Sequence, residues 1–350
     1  MKAYKVDQER LIKETPKSII ENEEVIYGSF EDSFTDLNLL DIKKQYKILP
    51  KSFNKFRLTE WEAFELDFPF GTLVSAVYNN LSLNRVGVLF YFDKETKKIY
   101  SYQTVTRKKN MHVASNLIDD DSYINTKNFK LRIKNDFKNR KARVEASIFN
   151  KKNGEFKMNI ELDSFAPSSV VSIPLGKNKP LYSEKAIFKA NGTLVFQGKT
   201  YSIDESATAI IDDHKGYYPY SSHYDWITTM GIINHEGKNQ YFGINLTNNG
   251  SLDANKYNEN NIWIEGSFFY LPPVKFFHEG DTWYIQDEYD HVNLEFKISN
   301  TFNMNVHAIV INFLYSLPFG TLNGYVKDEH GTKYIIKDMI GIGEDKTTRL

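Results

Sequence analysis

The chain has 350 residues, enough for roughly two domains of about 150 each. Lys plus Arg is 44 against 45 for Asp plus Glu, a formal net charge of −1, which argues against a general nucleic-acid binder. Cysteine is absent, which excludes thiol catalysis, disulfides, iron–sulfur clusters and Cys-ligated zinc.

The first residues, MKAYKVDQERLIKETPK, are charged throughout and lack the apolar core of a signal peptide. Residues 1–55 read as a polar arm packing on the domains that follow, with one short helix. No stretch offers the roughly 20 apolar residues of a membrane helix. The nearest, Ile298 to Val326, is broken by asparagine, proline and glycine. A soluble cytoplasmic protein without a transmembrane segment is expected.

From Trp61 the pattern becomes one of strands. Thr72 to Tyr78, Arg85 to Phe92 and Lys98 to Thr106 are β-rich runs between turn residues. Phe129 to Lys134 alternates apolar and basic residues strictly, and Lys141 to Ile148 and Phe156 to Leu162 alternate too. A period of two means half-buried antiparallel strands with one wet face. The basic residues between 130 and 143 then belong to that wet face, more than to a site for an anionic partner. Asn153-Gly154 predicts a hairpin turn, because both residues tolerate positive φ.

Asp163 to Lys185 carries three prolines, which cannot donate to a ladder and so mark an edge or linker. The domain boundary is therefore placed near 175, giving a first barrel over 56–175 and a second, site-bearing barrel over 176–350. A further hairpin is predicted at Asn191-Gly192. Strands follow at Trp226 to Ile233, Gln240 to Leu246, Ile262 to Leu271, Trp283 to Gln286, Val292 to Ile298, Val306 to Tyr315, Leu322 to Val326 and Lys333 to Ile340. The fold class is mainly β, two antiparallel barrels or sandwiches in tandem. Pro69-Phe70-Gly71-Thr72-Leu73 recurs as Pro318-Phe319-Gly320-Thr321-Leu322, at unmatched points of the two halves, and reads as a shared turn-into-strand solution.

The densest polar and aromatic segment runs from Asp212 to Trp226. On an extended backbone Asp212 and His214 share a face. A carboxylate beside an imidazole makes a general base usable near neutral pH. The structural alternative is a turn cap before Gly216. In Asn258-Glu259-Asn260-Asn261-Ile262-Trp263, burial would raise the Glu259 pKa and make it a proton donor; the alternative is a polar turn before a strand. Asn245 lies among apolar neighbours and needs partners, from a ligand or from the protein. Gly341-x-Gly343 lacks the rest of a nucleotide motif. Seven of eight histidines lie beyond residue 200, without a His-Glu-x-x-His pattern. His223 and Asp225 share a strand face, but two ligands do not make a metal site. No metal and no cofactor are expected. Aromatics make up 15% of the chain, and Tyr and Trp suit a cavity for an amphipathic ligand.

Asp212-x-His214-x-Gly216-Tyr217-Tyr218-Pro219, followed by Trp226, resembles a mainly bacterial family known as domain of unknown function 2804. Gly243-Ile244-Asn245-Leu246, Asn258-Glu259-Asn260 with Trp263, Trp283, Pro318-Phe319-Gly320 and Gly341-x-Gly343-Glu344 follow in the same order, and Gly28-Ser29-Phe30, Asn38 to Asp41 and Arg57-Leu58-x-x-Trp61 are similar to its opening. Tyr224 departs from the pattern, standing where a second tryptophan is expected. Tyr220 and Ser221 replace an arginine or histidine. A more distant resemblance is to double lipocalin-like (calycin) barrels, which include carotenoid hydratases and pericyclase-type enzymes. It implies an enclosed small-molecule cavity.

Three readings follow. One is cofactor-free acid–base catalysis of the hydratase, isomerase or cyclase type on an amphipathic small molecule in a barrel cavity. Asp212 and His214 act as the pair, Glu259 or Tyr218 as proton donor, and Tyr217, Trp226, Asn245, Asn258, Asn260 and Trp263 bind the ligand. The second is a non-catalytic lipid or terpenoid carrier or sensor. The third is a carbohydrate-active or carbohydrate-binding protein using Asp212 and Glu259 as paired carboxylates. Oligomeric state is not legible.

Overall fold

The computed structural model describes residues 10–80, 84–307 and 312–349. The arm is mostly irregular. It holds β1 (Ile12–Lys13), β2 (Ile20–Glu21), β3 (Glu24–Val25) and β4 (Gly28–Phe30), with 3-10 turns at Leu39–Asp41 and Lys51–Phe56. Its apolar residues Ile19, Phe30, Phe34 and Leu39 are buried against Val170, Tyr182 and Tyr217. Arg10 anchors it further, donating from Nη1 to Asn258 Oδ1 at 3.0 Å and lying 3.9 Å over the Tyr270 ring.

The next strands are β5 (Thr59–Phe68), β6 (Gly71–Asn80), β7 (Asn84–Asp93), β8 (Ile99–Thr106), β9 (Met111–His112), β10 (Asp121–Asn125), β11 (Phe129–Asp136), β12 (Lys141–Asn150) and β13 (Gly154–Ser164). Then come β14 (Ser169–Pro174), β15 (Pro180–Phe196), β16 (Lys199–Ile203) and β17 (Thr208–Gly216). They form one sheet in the order β8-β7-β6-β5-β17-β15-β13-β12-β11-β10-β9, with β14 and β16 on β15 and β4 on β14. The sheet curls into a nearly closed barrel. Side chains tie the β8 edge to the turn between β12 and β13: Asn153 Nδ2 donates to Ser101 O at 2.8 Å, and Tyr102 Oη to Asn153 O at 3.2 Å.

Alternation decides which residues fill this barrel. In β11, Phe129, Leu131 and Ile133 point inward, while Lys130 and Arg132 face water. Arg143 reaches across the wet face to Glu161 at 3.0 Å. Inward residues of β5 to β7, such as Phe64, Leu66, Leu73, Leu89 and Tyr91, pack with those of β11 to β13 and β15 into one continuous core.

The second sheet comprises β18 (Ser221–His235), β19 (Lys238–Asn248), β20 (Asn261–Ile264), β21 (Ser267–Tyr270), β22 (Val274–Glu279), β23 (Thr282–Asp287), β24 (Val292–His307), β25 (Asn312–Lys327) and β26 (Lys333–Arg349). Its order is β21-β20-β19-β18-β26-β25-β24-β23-β22, a half-barrel around Ile227, Phe242, Leu246, Trp283 and Phe296. The outer faces of the two sheets meet back to back. Phe90, Phe92, Ile187 and Ile210 of the first pack on Met230, Trp263, Leu317 and Phe319 of the second. The Phe92 and Phe319 rings stack at 5.1 Å.

Three expectations are corrected. The boundary near 175 falls inside the first sheet, because β15 to β17 pair with β13 and β5; the chain crosses to the second sheet between Gly216 and Ser221. Asn191-Gly192 makes no hairpin, and β15 runs straight through it. The permissive φ of Gly192, +147°, serves a close approach instead, since a Cβ there would lie 2.1 Å from Asn159 O. The second Pro-Phe-Gly lies inside β25, not at a turn; only the first opens a strand, at Gly71. Gly341 and Gly343 are likewise in a strand, where a Cβ on Gly343 would come within 2.7 Å of the Trp283 ring. Part of the strand predicted over 306–315 lies outside the described residues. Among the described residues no helix is long and apolar enough to cross a membrane.

Candidate active site between the two sheets

Because both barrels present their outer faces to each other, the cavity lies between them. The interior of the first barrel is filled by its core. The space, about 560 Å³, is walled by outward residues of β5 to β8, β15 and β17 and by β18, β24, β25 and β26. That is ample for a drug-sized ligand. Val74, Val86, Val88, Phe90 and Leu181 make much of the wall apolar. A barrel-interior cavity was the expectation; the register of β5 overrides it. Phe64 and Leu66 face the core, so Trp61, Ala63 and Glu65 must face the second sheet.

Register also assembles the polar group. Lys185 of β15 pairs with Asp212 of β17, and His214 pairs with Trp61 of β5. The Lys185 ammonium lies 2.5 Å from Asp212 Oδ1, 3.3 Å from Glu259 Oε2 and 2.8 Å from His214 Nε2. His214 Nε2 is 3.2 Å from each carboxylate. Trp61 stacks on the imidazole at 4.4 Å. Glu259 enters from the loop before β20, held by Ser183 Oγ at 3.0 Å and Asn249 Nδ2 at 2.9 Å. Lys185, Asp212, His214 and Glu259 are all buried.

Burial opposes every charge in this cluster, yet mutual pairing wins. Burial pushes the Asp212 and Glu259 carboxyls up, but Lys185 and His214 hold both below the ordinary carboxylate range. Burial and Lys185 oppose protonation of His214, but Asp212 and Glu259 raise its pKa overall. Lys185 is raised as well: burial disfavours its charge, and the two carboxylates more than compensate.

Glu65, on the same wall, behaves in the opposite way. Burial, then the Asp212 charge, drives its pKa well above the ordinary value, with Lys185 only partly opposing. Its Oε2 is buried without a hydrogen-bond partner. Burial and the neighbouring Asp212 thus favour the protonated form of Glu65 beside the paired cluster. Across the cavity, Tyr224 Oη donates to Glu344 at 2.5 Å. Burial and the Glu344 charge keep the Tyr224 and Tyr315 phenols protonated. Tyr218, which lines the cavity, is kept protonated mainly by burial.

The residues singled out in the sequence separate into two groups. Asp212, His214, Glu259, Tyr218 and Trp226 line the cavity. The others do not. Tyr217 points away, because neighbours on an extended chain face opposite sides; its hydroxyl donates to Leu39 O at 3.1 Å and ties down the arm. Asn245 accepts from Trp226 Nε1 at 2.7 Å and donates to Glu259 O at 2.9 Å, so it positions two cavity residues. Asn258 accepts from Arg10, and Asn260 braces Thr247 N and Pro272 O. Trp263 belongs to the inter-sheet core, its Nε1 donating to Pro167 O at 3.0 Å. Glu259 is not the proton donor expected of a buried glutamate, since Lys185 and His214 keep it ionised. Asp212 and Glu259 converge on one ammonium instead of facing across a cleft, so they lack the separation of a glycosidase pair.

Lys185, Glu65, Trp61 and Glu344 escaped the sequence reading. The available signal was a charge inside an apolar strand, as in Trp61 to Phe68 and Leu181 to Phe188. Such charges are almost never fully buried unless paired. Similarly, the expectation of no metal rested on His223 and Asp225 standing alone. The fold brings Asp345 and His278 to them.

A nearly closed antiparallel barrel and a half-barrel, back to back around a cavity with a buried cluster of paired charges, define the class of protein. The chain belongs to the family described as Domain of unknown function (DUF2804), which matches residues 22–350. A search of curated proteins found no match to the sequence. Among solved structures, the fold is similar to kievitone hydratase from Nectria haematococca, with a TM-score of 0.54 and 14% identity over 82% of this chain and 88% of that one. It is also similar to CghA with Sch210972, with a TM-score of 0.55 and 9% identity over 96% of both chains. CghA determined separately gives a TM-score of 0.55, with 9% identity over 97% of both chains. At these identities the likeness is one of fold.

Proposed function

We propose that the chain is an enzyme that moves protons on an amphipathic organic small molecule held between its two sheets, by hydration, isomerisation or cyclisation. One observation carries this reading: the buried acid Glu65, whose surroundings favour its protonated form, and the mutually paired Lys185–Asp212–His214–Glu259 cluster face the same largely apolar cavity. Titratable groups whose environments push their pKa values apart are the mark of paired acid and base roles. Glu65 donates a proton to a polarised double bond or carbonyl. His214, steered by Asp212 and Glu259, takes one from a substrate carbon or from water. Tyr218 is a second neutral donor on the same wall. The steps balance, one proton given and one taken, using side chains of this chain alone. Val74, Val86, Val88 and Phe90 suit the apolar body of a ligand, and the phenols suit its polar end. The similar folds of a hydratase and of a protein crystallised with a small molecule lend support.

The test begins with native mass spectra and solvent extracts of the wild type, of the double variant Asp212→Asn/His214→Ala and of Glu65→Gln. A ligand that the wild type converts, with incorporation of deuterium or oxygen from labelled water, and that the variants bind without converting, is the expected result. A ligand held equally by all three and left unchanged in labelled water would overturn catalysis and make the protein a carrier. Binding only of glycans would favour the carbohydrate reading.

A further inference from the structure

We propose that His223, Asp225, His278 and Asp345 form a binding site for one divalent transition-metal ion of the zinc class. Asp225, His278 and Asp345 lie outside the lining of the inter-sheet cavity, while His223 borders it. Strand alternation puts His223 and Asp225 of β18 on the same side as Ile227, which belongs to the half-barrel core. Asp345 of β26 stands directly opposite Asp225 in the ladder. His278 comes from β22, its ring lying flat on Trp283 at 4.3 Å. Three separate strands thus deliver two imidazoles and two carboxylates to one place.

Two features need a cation. First, like charges directly opposite in an antiparallel pair repel, and Asp225 and Asp345 are such a pair. Second, Asp225 is only 6% exposed, yet its Oδ1 accepts no hydrogen bond. An imidazole nitrogen faces each of its oxygens: His278 Nε2 is 3.2 Å from Oδ1 and His223 Nε2 is 3.4 Å from Oδ2. Both lie within ion-pair reach of the carboxylate. A buried acceptor is costly without a partner.

The spacing fits a metal. One donor atom each of His223, Asp225 and Asp345 lies within 4.8 Å of the others. His278 stands just outside this set of three, beside both carboxylates: its Nε2 is 3.2 Å from Asp225 Oδ1, and its Nδ1 is 3.9 Å from Asp345 Oδ2. Zinc binds nitrogen and oxygen at about 2.0–2.2 Å, so neighbouring donors of a tetrahedral site stand about 3.3–3.5 Å apart. Imidazole with carboxylate selects zinc-like ions over magnesium or calcium, which take all-oxygen sets. His223 is half exposed, which leaves a path for the ion.

The alternative is two protonated histidines ion-paired to two aspartates, and it predicts the reverse proton behaviour. A metal takes neutral imidazole, so binding releases protons. Chelator-treated full-length protein is titrated with Co²⁺ and, separately, with Zn²⁺ in weakly buffered solution. One equivalent of Co²⁺ with visible d–d absorption, Zn²⁺ competition for the same site and release of protons are expected. Asp225→Asn and His278→Ala should each weaken Zn²⁺ binding by roughly 100-fold, while the exposed His330→Ala should leave it unchanged. Near-UV circular dichroism and Tm of each metal-free variant show whether it folds. Absence of stoichiometric binding, or equal binding by folded Asp225→Asn and His278→Ala, would overturn the site.

Discussion

Lys185 Nζ and His214 Nε2 stand 2.8 Å apart in the wall of the inter-sheet cavity, two basic nitrogens in contact. An ammonium cannot accept, so when His214 is neutral its Nε2 takes a hydrogen bond from Lys185. When His214 is protonated, the two carboxylates 3.2 Å away stabilise the charge that Lys185 resists. The group therefore holds a proton in reserve. Replacing Lys185 with Met should raise the His214 pKa further, and Asp212→Asn should lower it. NMR titration of the imidazole measures both shifts; an unmoved value in either variant would contradict the cluster.

Stability should also depend on this ammonium. Lys185→Met leaves Asp212 and Glu259 buried without their strongest partner. A loss of about 3–5 kcal/mol is expected, read by chemical denaturation near neutral pH. The triple change Lys185→Met/Asp212→Asn/Glu259→Gln should recover a large part of it, because no uncompensated charge remains.

Adjacent tyrosines should respond differently. Tyr217→Phe removes only the bond to Leu39 O, costing about 0.5–1.5 kcal/mol of stability. Ligand capture should persist. Tyr218→Phe leaves the arm untouched but takes a hydroxyl out of the cavity, and should change ligand affinity or turnover. A swap of these phenotypes would mean that the two rings face the other way.

A pH experiment isolates Glu62, which is buried in the first barrel and accepts from Asn135 at 3.0 Å and from Ser122. Burial, then the Asp213 charge, raises its pKa to about 8. The unfolded glutamate ionises near its ordinary value, so between there and pH 8 the unfolded chain binds fewer protons than the folded one. The stability Glu62 contributes is full below the unfolded pKa and is lost as pH rises through the folded one. Glu62→Gln should flatten this decline, since its amide can donate to Ser122 and accept from Asn135. Denaturation midpoints at pH 5 and pH 9 test it; the variant and wild type should diverge only at the higher pH.

Asn245 links Trp226 to the Glu259 backbone. Asn245→Leu should cost about 1–3 kcal/mol, because the indole N–H and a buried carbonyl lose their partner. It should also weaken any activity that needs Glu259, without altering the cavity lining. Wild-type stability in the variant would show that water replaces the amide.

The sequence alone determined the fold class and half of the site. Alternation at Phe129 to Lys134 and the Asn153-Gly154 turn are local signals, decided by side-chain direction and backbone freedom, and they survive in β11 to β13. Asp212 and His214 were legible for the same reason, two residues apart on an extended chain. Tertiary structure decided the rest. Lys185 and Glu65 meet Asp212 only because β15 and β5 flank β17 in the sheet, a non-local pairing without a mark in local sequence. Whether a strand shows its Glu to a core or to a cavity depends on the register of its neighbours, which a single sequence does not carry. Back-to-back packing then put the cavity between the two sheets, with the buried cluster set in an otherwise largely apolar wall.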